Sequence, residues 1–157
     1  MIKSGGSFFY RGKRCTIGAV LLLNGLLHIV TVAHIFQGEG DNLLVDGKKL
    51  TVTQLVKDFD LALVELPSDS VVEITELETP GGLEQAMLVN EIHSIRCRVV
   101  NSGVSLLFLG FQCSNMPEPG DSGSPILQEG KVIGIMSSVT LDTCMGIAIS
   151  SKVLHSL

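Results

Sequence analysis

Apolar residues along this chain fall in short runs separated by Gly-containing pairs, with almost no helical periodicity. Residues 15–34, CTIGAVLLLNGLLHIVTVAH, hold two such runs on either side of Asn24-Gly25. Asn and Gly accept the positive φ angles of a two-residue type I′ turn, so this pair predicts a hairpin. The same interruption argues against a membrane span across Ile17–Phe36, a stretch that also contains His28 and His34. Asp46-Gly47 predicts a second hairpin, between Leu43–Val45 and Leu50–Val56, and Glu129-Gly130 a third. DLALVELP, residues 60–67, reads as a short buried strand that Pro67 ends.

Further strands are expected at 86–89, 94–101, 104–110, 125–128, 131–138 and 145–150, and SSKVLHSL at the end reads as a short helix. Many closely spaced strands indicate an all-β barrel architecture. Residues 67–83, PSDSVVEITELETPGGL, are rich in Pro, Ser, Gly and acids, which suits a connection between an N-terminal barrel (1–66) and a C-terminal barrel (84–157). Within that connection VVEI has the composition of a short strand.

Composition supports a folded core: 45% of the 157 residues are hydrophobic and 17% are charged. The net charge of −5 gives no general attraction for nucleic acid or anionic membranes, and the basic residues at 11–14 read as a solvated turn. No cofactor and no metal site are expected, because Cys15, Cys97, Cys113 and Cys144 are scattered without CxxC or Cys/His spacing. The even count of cysteines allows a secreted disulfide framework, but with no signal peptide at the start of the sequence we expect four reduced thiols and a cytoplasmic setting.

The most informative segment is Gly120-Asp121-Ser122-Gly123-Ser124-Pro125. A serine hydroxyl attacks poorly until a base takes its proton, and the oxyanion that results needs donors aimed at it. Glycine two positions before Ser122 lets a backbone N–H face that oxyanion, and the N–H of Ser122 supplies a second donor. The string is more specific than GxSxG, and it does not fit an α/β-hydrolase elbow, which requires glycine where Ser124 stands. A Gly/Ser turn leading into a strand is the alternative reading.

His34 closes the apolar strand Val30-Thr31-Val32-Ala33, where an imidazole is held rigidly yet presented to a cleft. His28, His93 and His155 are weaker candidates: His28 lies within an apolar strand, His93 in a polar turn and His155 near the end. Asp60 opens the buried strand Leu61–Val64, where its carboxylate can accept the second imidazole N–H; Asp58, two residues earlier, is the competitor. The order His, Asp, Ser differs from that of subtilisin and of α/β-hydrolases.

In VTVAH, DLALVEL and GDSGSPI the sequence resembles the chymotrypsin-like protease superfamily. Within it the chain looks most like the compact serine-type main proteases of positive-strand RNA viruses, such as arteriviruses and other nidoviruses. The resemblance implies two six-stranded β-barrels with a short C-terminal helix, and an active site in the crevice between them. It implies a serine endopeptidase with His34, Asp60 and Ser122 as triad and Gly120 and Ser122 as oxyanion donors. The substrate would be a polypeptide, in the viral case a polyprotein cut in the host cytoplasm, with no nucleic acid as partner. Bacterial and organellar proteases share the same motifs.

The family builds its main specificity pocket from segments that here contain Met116 and Pro117, then Met136, Ser137 and Ser138, then Gly146 and Ala148. Met116 stands where trypsin-type enzymes carry an aspartate, and an unpaired basic side chain there would be costly. Pro117 and Met136 replace the threonine and histidine of relatives that cut after Glu or Gln. An uncharged, medium-sized P1 residue is therefore expected. Ordinary core filling is the alternative for both methionines.

Overall fold

A computed structural model describes residues 1–82 and 84–157; position 83, the last of the expected connection, lies outside the described residues. Among these residues the chain forms fourteen strands and one short helix. The three predicted Gly-containing hairpins all form, with positive φ at Asn24-Gly25, Asp46-Gly47 and Glu129-Gly130. Arg11-Gly12 makes a fourth such turn, between β1 (Ser7–Tyr10) and β2 (Lys13–Thr16), two strands that the amino-terminal pattern did not announce.

The next strands are β3 (Ala19–Leu23), β4 (Leu26–Val32), β5 (Asn42–Val45), β6 (Lys48–Thr51), β7 (Gln54–Val56) and β8 (Leu61–Glu65). They complete two four-stranded sheets, ordered β2-β1-β5-β6 and β3-β4-β8-β7. The stretch expected as one strand over 50–56 is divided between these sheets. Buried Val52 marks the crossover.

The second sheet explains why HIVTV and LALV show no polar alternation. Val20, Ile29, Ala62 and Val64 face the core shared with Phe8, Tyr10 and Phe36. Ala19, Leu21, Val30, Val32, Leu61 and Leu63 face the other way, onto Ile135, Ile149, Val153 and Leu154. A sheet covered on both faces reads as a continuous apolar run.

Strands β9 (Gln85–Val89), β10 (Ser94–Ser102), β11 (Leu106–Phe111), β12 (Pro125–Gln128), β13 (Lys131–Thr140) and β14 (Met145–Ser150) close into a barrel, ordered β10-β11-β14-β13-β12-β9. Leu88, Leu107, Leu109, Ile126, Ile133 and Met136 fill its interior. Ser150 caps α1 (Ser151–His155) by accepting from the Lys152 N–H. In the connection, VVEI forms no strand of its own. Val72 and Leu77 make isolated parallel bridges to Ile2 and Val132, tying the crossing segment to both halves.

Cys113 and Cys144 form a disulfide, which corrects the expectation of four reduced thiols. The loop after β11 and the β13–β14 turn bring their Cα atoms to 5.3 Å, a proximity that scattered sequence positions do not reveal. The correction removes the thiol argument for a cytoplasmic setting. Cys15 and Cys97 remain free, and burial pushes the Cys97 thiol up to about 12. No described helix is long and apolar enough to cross a membrane.

Candidate active site

Antiparallel pairing of β4 with β8 sets Val32 opposite Leu61, so the residues just past that pair emerge together at one edge. The Ala33 N–H donates to the Asp60 carbonyl at 3.0 Å, and the next side chain is His34. Asp60 Oδ2 accepts from His34 Nδ1 at 2.8 Å, while Oδ1 accepts from the His34 backbone N–H at 2.8 Å. This two-point grip fixes the ring plane and places the ring proton on Nδ1, since an ionised carboxylate only accepts. Asp58, the competitor, is exposed and has no hydrogen bond to the ring among the described residues.

A third hydrogen bond reaches Asp60 from the other half of the molecule: Ser137 Oγ donates to Oδ2 at 2.6 Å. Ser137 lies at an irregularity in the β13–β14 register, between the pairs Met136↔Ala148 and Ser138↔Ile147. Its hydroxyl is therefore engaged with the carboxylate. Beyond His34, Asp41 Oδ2 accepts from Tyr10 Oη at 2.7 Å and from the Gln37 N–H at 2.7 Å, which ties down the loop that follows. The Tyr10 hydrogen bond leads the effects that hold the Asp41 carboxyl below its ordinary range.

The segment carrying Ser122 is pinned between the halves. Thr16 Oγ1 donates to the Gly120 carbonyl at 3.0 Å, and the Gly123 N–H donates to the Met136 carbonyl at 2.7 Å. Gly123 has φ of 90°, and a Cβ there would sit 2.6 Å from Thr31 Oγ1 and 2.8 Å from the Thr16 carbonyl. Only glycine lets the residue after Ser122 approach β4 three positions before His34. Gly120, with φ of 100°, likewise occupies backbone space that L-residues avoid.

Among the described residues, no hydrogen bond joins the free imidazole nitrogen of His34 to the Ser122 hydroxyl, and the N–H groups of Gly120 and Ser122 have no protein partner. His34 is 47% exposed and Asp60 27%, so the pair opens to solvent on the ring side.

The expected pocket divides into residues with surface to offer and residues without. Met116 and Ser137 are partly exposed and Ser138 is exposed. Met136 and Ala148, at 1% and 0% exposure, fill the barrel core and leave their side chains almost no surface to offer. Pro117 and Gly146 are also buried; a Cβ on Gly146 would lie 2.7 Å from the Phe111 ring and 2.8 Å from Met136 Cε. A concavity of about 790 Å³ elsewhere on the barrel, lined by Arg96, Cys97, Phe111 and Met145 among others, includes none of the candidate triad.

Sequence reasoning left Asp121 without a partner and set His93 aside. Asp121 is 2% exposed and accepts from His93 Nδ1 at 2.8 and 2.9 Å, from Asn90 Nδ2 at 2.9 Å and from the Glu118 N–H at 2.8 Å. The signal available beforehand was an acid next to the candidate nucleophile in an otherwise apolar barrel.

No protein-family profile and no curated protein sequence matches the chain. Solved structures do. Protease A of Thermobifida fusca superimposes with a TM-score of 0.78 at 16% identity, covering 99% of this chain and 94% of that one. A glutamic-acid-specific serine protease that uses a histidine triad in substrate binding gives 0.75 at 16%, covering 99% and 96%. The serine protease of a human pathogenic astrovirus gives 0.63 at 18%, covering 96% and 91%. The fold is chymotrypsin-like: all-β, with a closed six-stranded barrel and a short terminal helix, while the N-terminal half, expected as a second six-stranded barrel, forms two four-stranded sheets.

Proposed function

We propose that the protein is a serine endopeptidase acting through an acyl-enzyme intermediate. The observation that carries this reading is the Asp60-oriented imidazole of His34, set at the junction where the Gly120–Gly123 segment meets β4. In the proposed reaction His34 takes the Ser122 proton as Oγ attacks the peptide carbonyl. The N–H groups of Gly120 and Ser122 receive the developing oxyanion. His34 then gives its proton to the departing amine, and water, activated by the same imidazole, releases the acyl group. Asp60 stabilises the imidazolium, and Ser137 keeps the carboxylate aligned.

The substrate is a polypeptide with an uncharged P1 residue. Met116 packs against an apolar core that includes Met136, so the segment where trypsin-type enzymes carry an aspartate here offers an uncharged thioether. The likeness of the GDSGSPIL segment to viral main proteases supports processing of a viral polyprotein. The Cys113–Cys144 disulfide favours a second setting, a bacterial protease working in an oxidising compartment.

A fluorophosphonate probe tests the reaction. Covalent uptake at Ser122, abolished in Ser122→Ala and in His34→Ala, is expected; uptake that survives either change sinks the reading. Peptide-library profiling then separates the settings, since polyprotein processing demands narrow preference on both sides of the cut.

A further inference from the structure

The outer face of the sheet β2-β1-β5-β6 turns large apolar side chains toward water. Phe8 and Tyr10 of β1 point into the core against Phe36, and Leu43 and Val45 of β5, each 2% exposed, join them there. Strand alternation therefore sends Phe9 and Leu44 outward. They are 47% and 48% exposed, and the register sets them directly opposite each other on the two central strands. Phe9 also pairs with Arg14 of β2, and Leu44 with Lys49 of β6. One row across the sheet thus reads Arg14, Phe9, Leu44, Lys49, and at ordinary strand spacing it spans about 14 Å.

The net charge of the whole chain conceals how its charges are divided. Residues 1–57 hold seven Lys and Arg against three Asp and Glu, whereas 58–157 hold four against thirteen. Lys13 and Lys48, both exposed, begin the two edge strands and add to the cations around the row. Uncharged Asn42 and Thr51, paired with each other, border it on one side. On the other side Ser7 Oγ accepts from Arg14 Nη1 at 3.2 Å and donates to Glu91 Oε2 at 2.8 Å, while Asp46 occupies the β5–β6 turn. Those two acids stand at the rim.

Cations on edge strands discourage pairing with foreign sheets, which accounts for Arg14 and Lys49. It leaves Phe9 and Leu44, inside the sheet, without a reason. An apolar centre between cationic ends fits the surface of an anionic bilayer: the ring and the aliphatic chain enter the acyl boundary while the cations meet lipid headgroups. A single-stranded nucleic acid is held by several stacking rings, and this row offers one.

We infer that the face bearing Arg14, Phe9, Leu44 and Lys49 docks reversibly on anionic lipid membranes. This goes beyond the serine-protease reading and does not depend on it.

Co-sedimentation of the full chain with lipid vesicles tests the inference. At about 0.1 M salt the protein is expected to pellet with phosphatidylcholine vesicles containing about 30% phosphatidylserine, and not with phosphatidylcholine alone. Arg14→Ala and Lys49→Ala should each weaken partitioning about fivefold. Phe9→Ser and Leu44→Ser should each weaken it about tenfold. Arg98→Ala, which removes an exposed cation from the barrel, should change nothing. Ser122→Ala should bind as the wild type does, so a protein that never cleaves a peptide leaves the docking result standing.

No pelleting with the anionic vesicles overturns the inference, as does equal binding to both kinds or an Arg98→Ala loss as large as that of Lys49→Ala. Losses confined to the cation variants overturn it too, because they reduce the row to edge protection. If Phe9→Ser fails to fold, Leu44→Ser decides on the same criterion. A labelled oligouridylate that strips the protein from anionic vesicles, and whose own binding is lost in Phe9→Ser, would assign the face to nucleic acid instead.

Discussion

Asp60 adopts a left-handed backbone, φ of 52°, that few L-residues other than Asn and Asp tolerate. That conformation turns the chain out of the bend and into β8 while both carboxylate oxygens face His34. Asparagine can keep the backbone and the contact with the His34 N–H, yet its amide offers a donor where the ring also offers one. Asp60→Asn is therefore expected to fold normally and to lower turnover on the order of 10⁴-fold, while Asp58→Asn leaves it unchanged. Steady-state rates on one peptide substrate check both. Equal losses in the two variants would mean that the third member has been misassigned.

At the scale of elements, strands were legible where a sequence signal was local. Asn24-Gly25, Asp46-Gly47 and Glu129-Gly130 fixed three hairpins, and every strand of the barrel lies within a few residues of its expected bounds. The contact of His34 with Asp60 was legible because one follows an apolar strand and the other opens one, both local patterns. What depends on distant segments meeting was not. Nothing near Ser137 marks its hydroxyl for Asp60, nothing in Asn90–His93 points to Asp121, and Met136 looks the same in a pocket wall as in a core. The disulfide belongs to this group. It joins two loops 31 residues apart in sequence, one leading to Met116 and the other to Gly146. A cross-link of that span contributes about 3–4 kcal/mol by restricting the unfolded chain. Cys113→Ala with Cys144→Ala should lower the midpoint of thermal unfolding by roughly 10 °C, measured without reductant. An unchanged midpoint would show that the closed barrel holds those loops unaided.

For the molecule as a whole, the sheet β3-β4-β8-β7 decides how the halves depend on each other, because its second apolar face is covered by β13, β14 and α1. Neither half finishes its own packing. Separately expressed fragments ending before and beginning after the 67–83 connection would each bare greasy surface to water, the first through Leu21, Val30 and Leu63, the second through Ile135 and Ile149. Each piece alone should precipitate or bind a dye such as ANS, and mixing during refolding should restore a soluble heterodimer visible by sedimentation. Two monodisperse, dye-silent fragments would contradict this. A nick in the connection is thus survivable in an already folded molecule, whereas a chain cut there during synthesis would have to find its missing complement before it could stay in solution.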